Sequence, residues 1–195
     1  MKQGLLACLC LLSTLVSAQA ESDLLTKYAA QIDQVKTLRS NFSEEKHLSL
    51  LDAPIESLGT LSFDKNTQKL YWQYQTPFQN GFLIEKGQVY RLQGKNKAPV
   101  QNAMGRMMAA QMVVWLTLDF KSLKRDYEIS LKGREITFVP RNKVHKVVRQ
   151  ITVWLDERNP QIVTQVRMDE PSGDFIVWKF THVRINIPLG NEGVL

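Results

Sequence analysis

The sequence predicts a mainly antiparallel β domain opened by one amphipathic helix, and three observations carry that prediction. Apolar residues recur at every second position through most of the chain. Short polar connections of turn character separate these runs. Both cysteines, Cys8 and Cys10, fall at the extreme start, so everything after them must be held by its core rather than by disulfides.

The start reads as a secretory leader. Met1 and Lys2 give a positive end, an apolar run follows from Gly4 to Val16, and Ser17-Ala18-Gln19-Ala20 is an A-x-A cleavage pattern. Leu5-Leu6-Ala7-Cys8 also resembles a lipoprotein processing box, which would make Cys8 a lipidated anchor. Only Gln3 to Ala7 then separates Lys2 from Cys8, short of the roughly 7–15 apolar residues a signal core needs. Residues 1–20 are therefore expected to be a cleaved signal peptide and residues 21–195 a single exported domain, periplasmic in a bacterium. A chain of that length can bury a sizeable core.

After the leader, 24 basic side chains stand against 19 acidic ones. Small clusters occur at Lys121, Lys124 and Arg125 and at Arg141, Lys143, Lys146 and Arg149. They fit a soluble basic surface or a weak attraction to anionic head groups. Export, and the lack of any zinc-finger or RNP-type motif, argue against nucleic acid as a partner.

Ser22 and Asp23 are N-cap residues, and Leu24, Leu25, Tyr28, Ile32 and Val35 follow at helical spacing, predicting a helix over 22–36. The period then changes to two. Strands are expected at 38–42, 48–50, 58–63, 70–74, 82–84 and 89–92, then at 127–131, 136–139, 147–155, 162–168 and 175–183. Asp64–Thr67, Glu85–Gln88, Lys132–Glu135, Asp156–Pro160 and Glu170–Asp174 are the turns. Ten or eleven strands in a meander result. One segment departs from period two. Met104, Met107, Met108 and Met112 fall on one helical face, with Gly105 loosening the helix; residues 113–118 could be helix or strand.

No catalytic signature appears. His47, His145 and His182 have no second ligand at metal spacing, and there is no G-x-S-x-G elbow or phosphate loop. The carboxylate pairs Glu44-Glu45 and Asp169-Glu170 read as solvated strand-end and loop residues rather than a glycosidase pair. No cofactor or metal is expected. Strand alternation instead turns apolar residues inward: Leu61 and Phe63, Leu70, Trp72 and Tyr74, Phe82 and Ile84, Ile136 and Phe138, Ile176, Trp178 and Phe180. Those faces make either an ordinary filled core or, if the sheet curls, a hollow that a ligand completes. Methionine suits an adaptable cover over such a hollow.

The same residues carry a family likeness. The helix followed by Thr37-Leu38-Arg39-Ser40-Asn41-Phe42, then Ser57-Leu58-Gly59-Thr60-Leu61-Ser62-Phe63, Leu70-Tyr71-Trp72, Thr76-Pro77, Phe82 to Tyr90 and Phe138-Val139-Pro140 resemble, in order and spacing, the LolA-type periplasmic lipoprotein carriers. The resemblance implies an incomplete, strongly curved antiparallel β-barrel with a helical lid over an apolar cavity. It implies a carrier, not an enzyme. The cargo would be the acyl chains of lipoproteins or of another lipid, passed from an inner-membrane donor complex to an outer-membrane acceptor by a monomer. Leu70 and Trp72 would line the cavity. Together the expected ligand contacts are Phe42, Leu61, Phe63, Leu70, Trp72, Tyr74, Phe82, Ile84, Met104, Met107, Met108, Met112, Phe138 and Trp178. The family's Arg-Pro pair before the strand Trp, whose Arg ties the lid to the barrel, is replaced here by Lys65-Asn66-Thr67-Gln68-Lys69. Closure is then expected to rest mainly on apolar contact, with the Met-rich stripe as a mobile cover and a specialised cargo in prospect. A filled-core interaction domain and an enzyme on this scaffold are the alternatives.

Overall fold

The computed structural model describes residues 23–94, 96–102, 105–106, 118, 120–141 and 147–189, without the side chains of residues 121 and 122. Helix α1 covers residues 23–33. It stops three residues earlier than its periodicity suggests. The Lys36 backbone N–H donates to Asn186 Oδ1 (2.7 Å) instead of to a helical carbonyl, and the chain enters the sheet at Thr37.

Eleven strands follow: β1 (Thr37–His47), β2 (Ile55–Asp64), β3 (Lys69–Thr76), β4 (Asn80–Glu85), β5 (Gln88–Gln93), β6 (Asn96–Pro99), β7 (Tyr127–Lys132), β8 (Glu135–Pro140), β9 (Gln150–Leu155), β10 (Val163–Asp169) and β11 (Phe175–Ile185). A short helix, α2 (Phe120–Asp126), leads into β7. All strands join one antiparallel sheet in the order β6-β5-β4-β3-β2-β1-β11-β10-β9-β8-β7. Two meanders thus meet at the β1–β11 seam, and β6 and β7 stay as unpaired edges among the described residues. The result is an incomplete curved barrel, as the resemblance implies.

The turns follow their sequence chemistry. Lys86 and Gly87 both take positive φ (48° and 79°) between the paired Glu85 and Gln88, the geometry a two-residue hairpin favours. Asp64 Oδ1 accepts from the N–H of Asn66 at 2.8 Å, and Asp156 Oδ1 from the N–H groups of Arg158 and Asn159, both at 2.9 Å. Three expectations need correction. Residues 48–50 are not a strand: Leu51 N–H closes a turn on Leu48 O, and Leu50 is 94% exposed. The strand expected from 147 begins at Gln150, with the Arg149 N–H already donating to Asp169 O of β10. Strand β6 went unforeseen because it is an exposed edge with no apolar alternation to read.

The inward faces build one core. Trp72, Leu61, Leu70, Phe138, Ile136, Ile151 and Val153 are all essentially inaccessible. Gly59 is required here: a Cβ would collide with the Phe42 ring and with Gln73 O on the neighbouring strand. Its absence lets Phe42 lie flat over β2 and reach Trp72, 4.3 Å between ring centroids.

Candidate functional site

The concave face is not filled along its whole length. A cavity of about 510 Å³ remains between α1 and the sheet, within the roughly 300–1,000 Å³ of small-molecule sites. Helix α1 roofs it with Ala29, Ala30, Ile32 and Asp33, where the small alanines leave room that longer side chains would take. The walls are Leu38 on β1, Leu61 and Phe63 on β2, Val163 on β10, Phe180 and Val183 on β11, Leu118 ahead of α2 and Phe120 at its start. Gln161 and Ser40 are the uncharged polar residues of the lining; the Gln161 amide is taken up by Gln31 O on α1, and the Ser40 hydroxyl is already committed. This hydroxyl sits at the bulge where β1 slips against β11, 2.7 Å from Asn41 O and 3.0 Å from Thr181 O. Charge is confined to the rim, at Asp33 and Lys65, so the interior suits an apolar chain and the mouth a polar end.

The roof helix is pinned on two sides. Lys65 Nζ donates to Asp33 O (2.8 Å) and pairs with Asp33 Oδ1 (2.5 Å), while Gln161 Nε2 donates to Gln31 O (2.8 Å). The Lys65 hydrogen bond and charge hold the Asp33 carboxyl below its usual range. A cation at the last carbonyls of a helix also complements its dipole. Lys65, in the stretch that lacks the family's Arg, thus gives α1 a polar tie, while the Met-rich stripe expected to close the hollow mainly by apolar contact lies outside the described residues. The Lys65 tie lies at the surface and the Gln161 tie is only partly buried, so both contribute little to folding. Lys65→Met with Gln161→Leu should change stability by less than about 1 kcal/mol yet raise ligand off-rates several-fold. Stopped-flow displacement of a bound apolar dye measures this; an unchanged off-rate would mean that α1 does not gate the cavity.

Beyond Phe180 the wall is backed by an aromatic cluster of tilted and edge-to-face rings. Trp72 meets Phe42, Tyr74, Trp178 and Phe180 at centroid distances of 4.3, 6.4, 6.1 and 6.3 Å. At its far side Glu44 Oε2 accepts from the Tyr74 hydroxyl and from Trp178 Nε1, each at 2.6 Å. The Trp72 indole N–H is buried near the same hydroxyl without closing a hydrogen bond. Burial, and then the Glu44 charge, push the Tyr74 phenol well above its ordinary value. The folded chain thus keeps a proton that the unfolded chain loses above about pH 10. That contribution is complete below about pH 10 and is lost as the pH rises beyond it. Urea unfolding of wild type and Tyr74→Phe between about pH 8 and 11 should show the steeper alkaline decline in wild type; parallel declines would contradict it.

The expected ligand contacts fall into three groups. Leu61 and Phe63 stand on the cavity wall. Phe42, Leu70, Trp72, Ile84, Phe138 and Trp178 are buried in the core, with Tyr74 and Phe82 half-buried against it. In this conformation these residues back the wall instead of facing the space. Leu70 and Trp72, which the resemblance would put at the cavity, are among them because Phe42 lies over Trp72. Met104, Met107, Met108 and Met112 lie outside the described residues. Sequence reasoning turned Phe180 inward without naming it as a ligand contact, and passed over Val183, Val163 and Phe120. Phe180 shares the inward phase of Trp178 and was open to the same reading. The valines sit at strand ends, where alternation cannot say which end stays hollow.

Among the described residues no three His, Cys, Asp or Glu side chains gather as metal ligands. His47 is stacked on Phe175, 4.2 Å between centroids, and His145 lies outside the described residues. No described helix is long and apolar enough to cross a membrane.

A family model described as "Outer membrane lipoprotein carrier protein LolA" matches residues 33–192. No curated protein matches the chain. Among solved structures, MucB aligns at a TM-score of 0.56 with 13% identity, over 91% of this chain and 62% of its own. The Pseudomonas aeruginosa MucA/MucB complex gives 0.53 and 14%, over 90% and 60%. An uncharacterised conserved protein from Thermus thermophilus gives 0.52 and 10%, over 91% and 92%. The chain thus spans about three-fifths of the MucB chains but nearly all of the Thermus protein, and at these identities the likeness is one of fold.

Proposed function

We propose that this chain, which belongs to the LolA family of outer membrane lipoprotein carrier proteins, is a periplasmic carrier. Its cavity takes up the acyl chains of a lipoprotein or of another lipid and releases them toward the outer membrane. One observation supports this above all: an apolar hollow whose single wall hydroxyl is spent on backbone, roofed by a helix tied down through Lys65 and Gln161. Such a site offers burial and no chemistry. A sixteen-carbon chain gains about 12 kcal/mol from burial at about 0.8 kcal/mol per methylene. Association costs of about 4 kcal/mol leave roughly 8 kcal/mol, which is micromolar binding. A filled-core interaction domain would have no such space.

The test is displacement of a bound apolar dye by palmitate, together with native mass spectrometry of the purified protein. Micromolar displacement and a co-purifying lipid mass are expected. Folded protein that takes up neither dye nor fatty acid would sink the carrier reading.

A further inference from the structure

We propose that the cavity takes a single-chain lipid: one long acyl chain with a polar end, and not the two or three chains of a phospholipid or a triacylated lipoprotein. The inference rests on the carrier reading and narrows its cargo. Volume is the first argument. A chain carbon fills about the space of a water molecule in the liquid, roughly 30 Å³. One sixteen-carbon chain then needs about 480 Å³, and three such chains need about 1,400 Å³. The cavity holds about 510 Å³.

The second argument is that the hollow is bounded where further chains would have to go. Along the concave face it ends at Phe180, and behind that ring Phe42, Trp72, Tyr74 and Trp178 fill the space. This layer has no slack. Phe42 lies so close over Gly59 that one added Cβ would collide with its ring. The Tyr74 hydroxyl and Trp178 Nε1 both donate to Glu44 Oε2, each at 2.6 Å, which fixes two of the rings in orientation. Moving the layer aside would break both charge-assisted hydrogen bonds and strip a half-buried carboxylate of these donors. On the opposite side α1 is held by Lys65 and Gln161. Swinging α1 outward admits a chain but adds no covered space once it closes, and a chain left outside stays in water and gains nothing. The mouth presents one pair of opposite charges, Asp33 with Lys65, to one polar end group.

The probes are palmitate, palmitoyl-lysophosphatidylcholine and one synthetic lipopeptide made with either one or three palmitoyl chains. Native mass spectrometry at saturating palmitate should count one bound chain per protein. The lysolipid should bind in the same ratio and displace palmitate, and the tighter of the two identifies the end group that the mouth prefers. In gel filtration without detergent the one-chain lipopeptide should co-elute with the protein, while the three-chain form stays in its own micelles. Two or more palmitates on the folded protein, or a one-to-one complex with the three-chain lipopeptide, overturns the proposal and leaves the carrier reading standing. Retention of none of the four probes by folded protein ends both.

Discussion

Trp72→Asp should unfold the protein or lower its stability by roughly 4 kcal/mol or more, whereas Tyr71→Asp should cost less than about 1 kcal/mol. The two residues are neighbours on β3, and only the face they point to separates them. Trp72 is 2% exposed and touches Phe42, Tyr74, Trp178 and Phe180, the layer that joins both halves of the sheet across the β1–β11 seam. Truncating it opens a hole at that junction. A carboxylate there would also face Glu44 across the Tyr74 hydroxyl, adding like-charge repulsion. Tyr71 is half-buried on the convex face, where water can solvate a charge. Urea unfolding of both variants measures the contrast, and similar losses would show that β3 is oriented the other way.

Such an asymmetry could be read from sequence because a strand has a strict period of two and Ser62 and Gln73 mark the outward phase. Turns were legible for the same local reason: Asp64, Gly87, Gly133 and Gly173 satisfy backbone needs within a few residues. The cavity was legible only in part. Its walls are inward residues like any others, and what makes them walls is the short reach of Ala29 and Ala30 above them, a tertiary fact. Phe42 and Trp72 were expected at the ligand and lie packed against each other because Gly59, distant from both along the chain, clears the space between strands. Glu44 was read as a solvated strand-end carboxylate. Its partners Tyr74 and Trp178 are 30 and 134 residues distant, and no local pattern could announce that meeting.

The cavity itself can be tested by filling it. Val163→Phe combined with Val183→Phe places two larger apolar side chains on the wall from β10 and β11, beneath the roof of α1. Both valines are partly buried, packed against the core on one side and lining the cavity on the other, so rings directed into the cavity should largely escape the overpacking cost of about 1–3 kcal/mol seen in filled cores. Stability should stay within about 1 kcal/mol of wild type, since the added apolar burial offsets the lost rotamer freedom. Acyl-chain affinity should fall by about a hundredfold, because each methylene excluded removes about 0.8 kcal/mol and the two rings leave no continuous channel. The converse pair, Val163→Ala with Val183→Ala, widens the space and should retain binding while favouring longer or branched chains. Palmitate titration and thermal melts of both double variants, with wild type alongside, separate occupancy from folding. If the filled variant melts like wild type and still binds palmitate in the micromolar range, acyl chains do not occupy this cavity and must be sought elsewhere on the concave face.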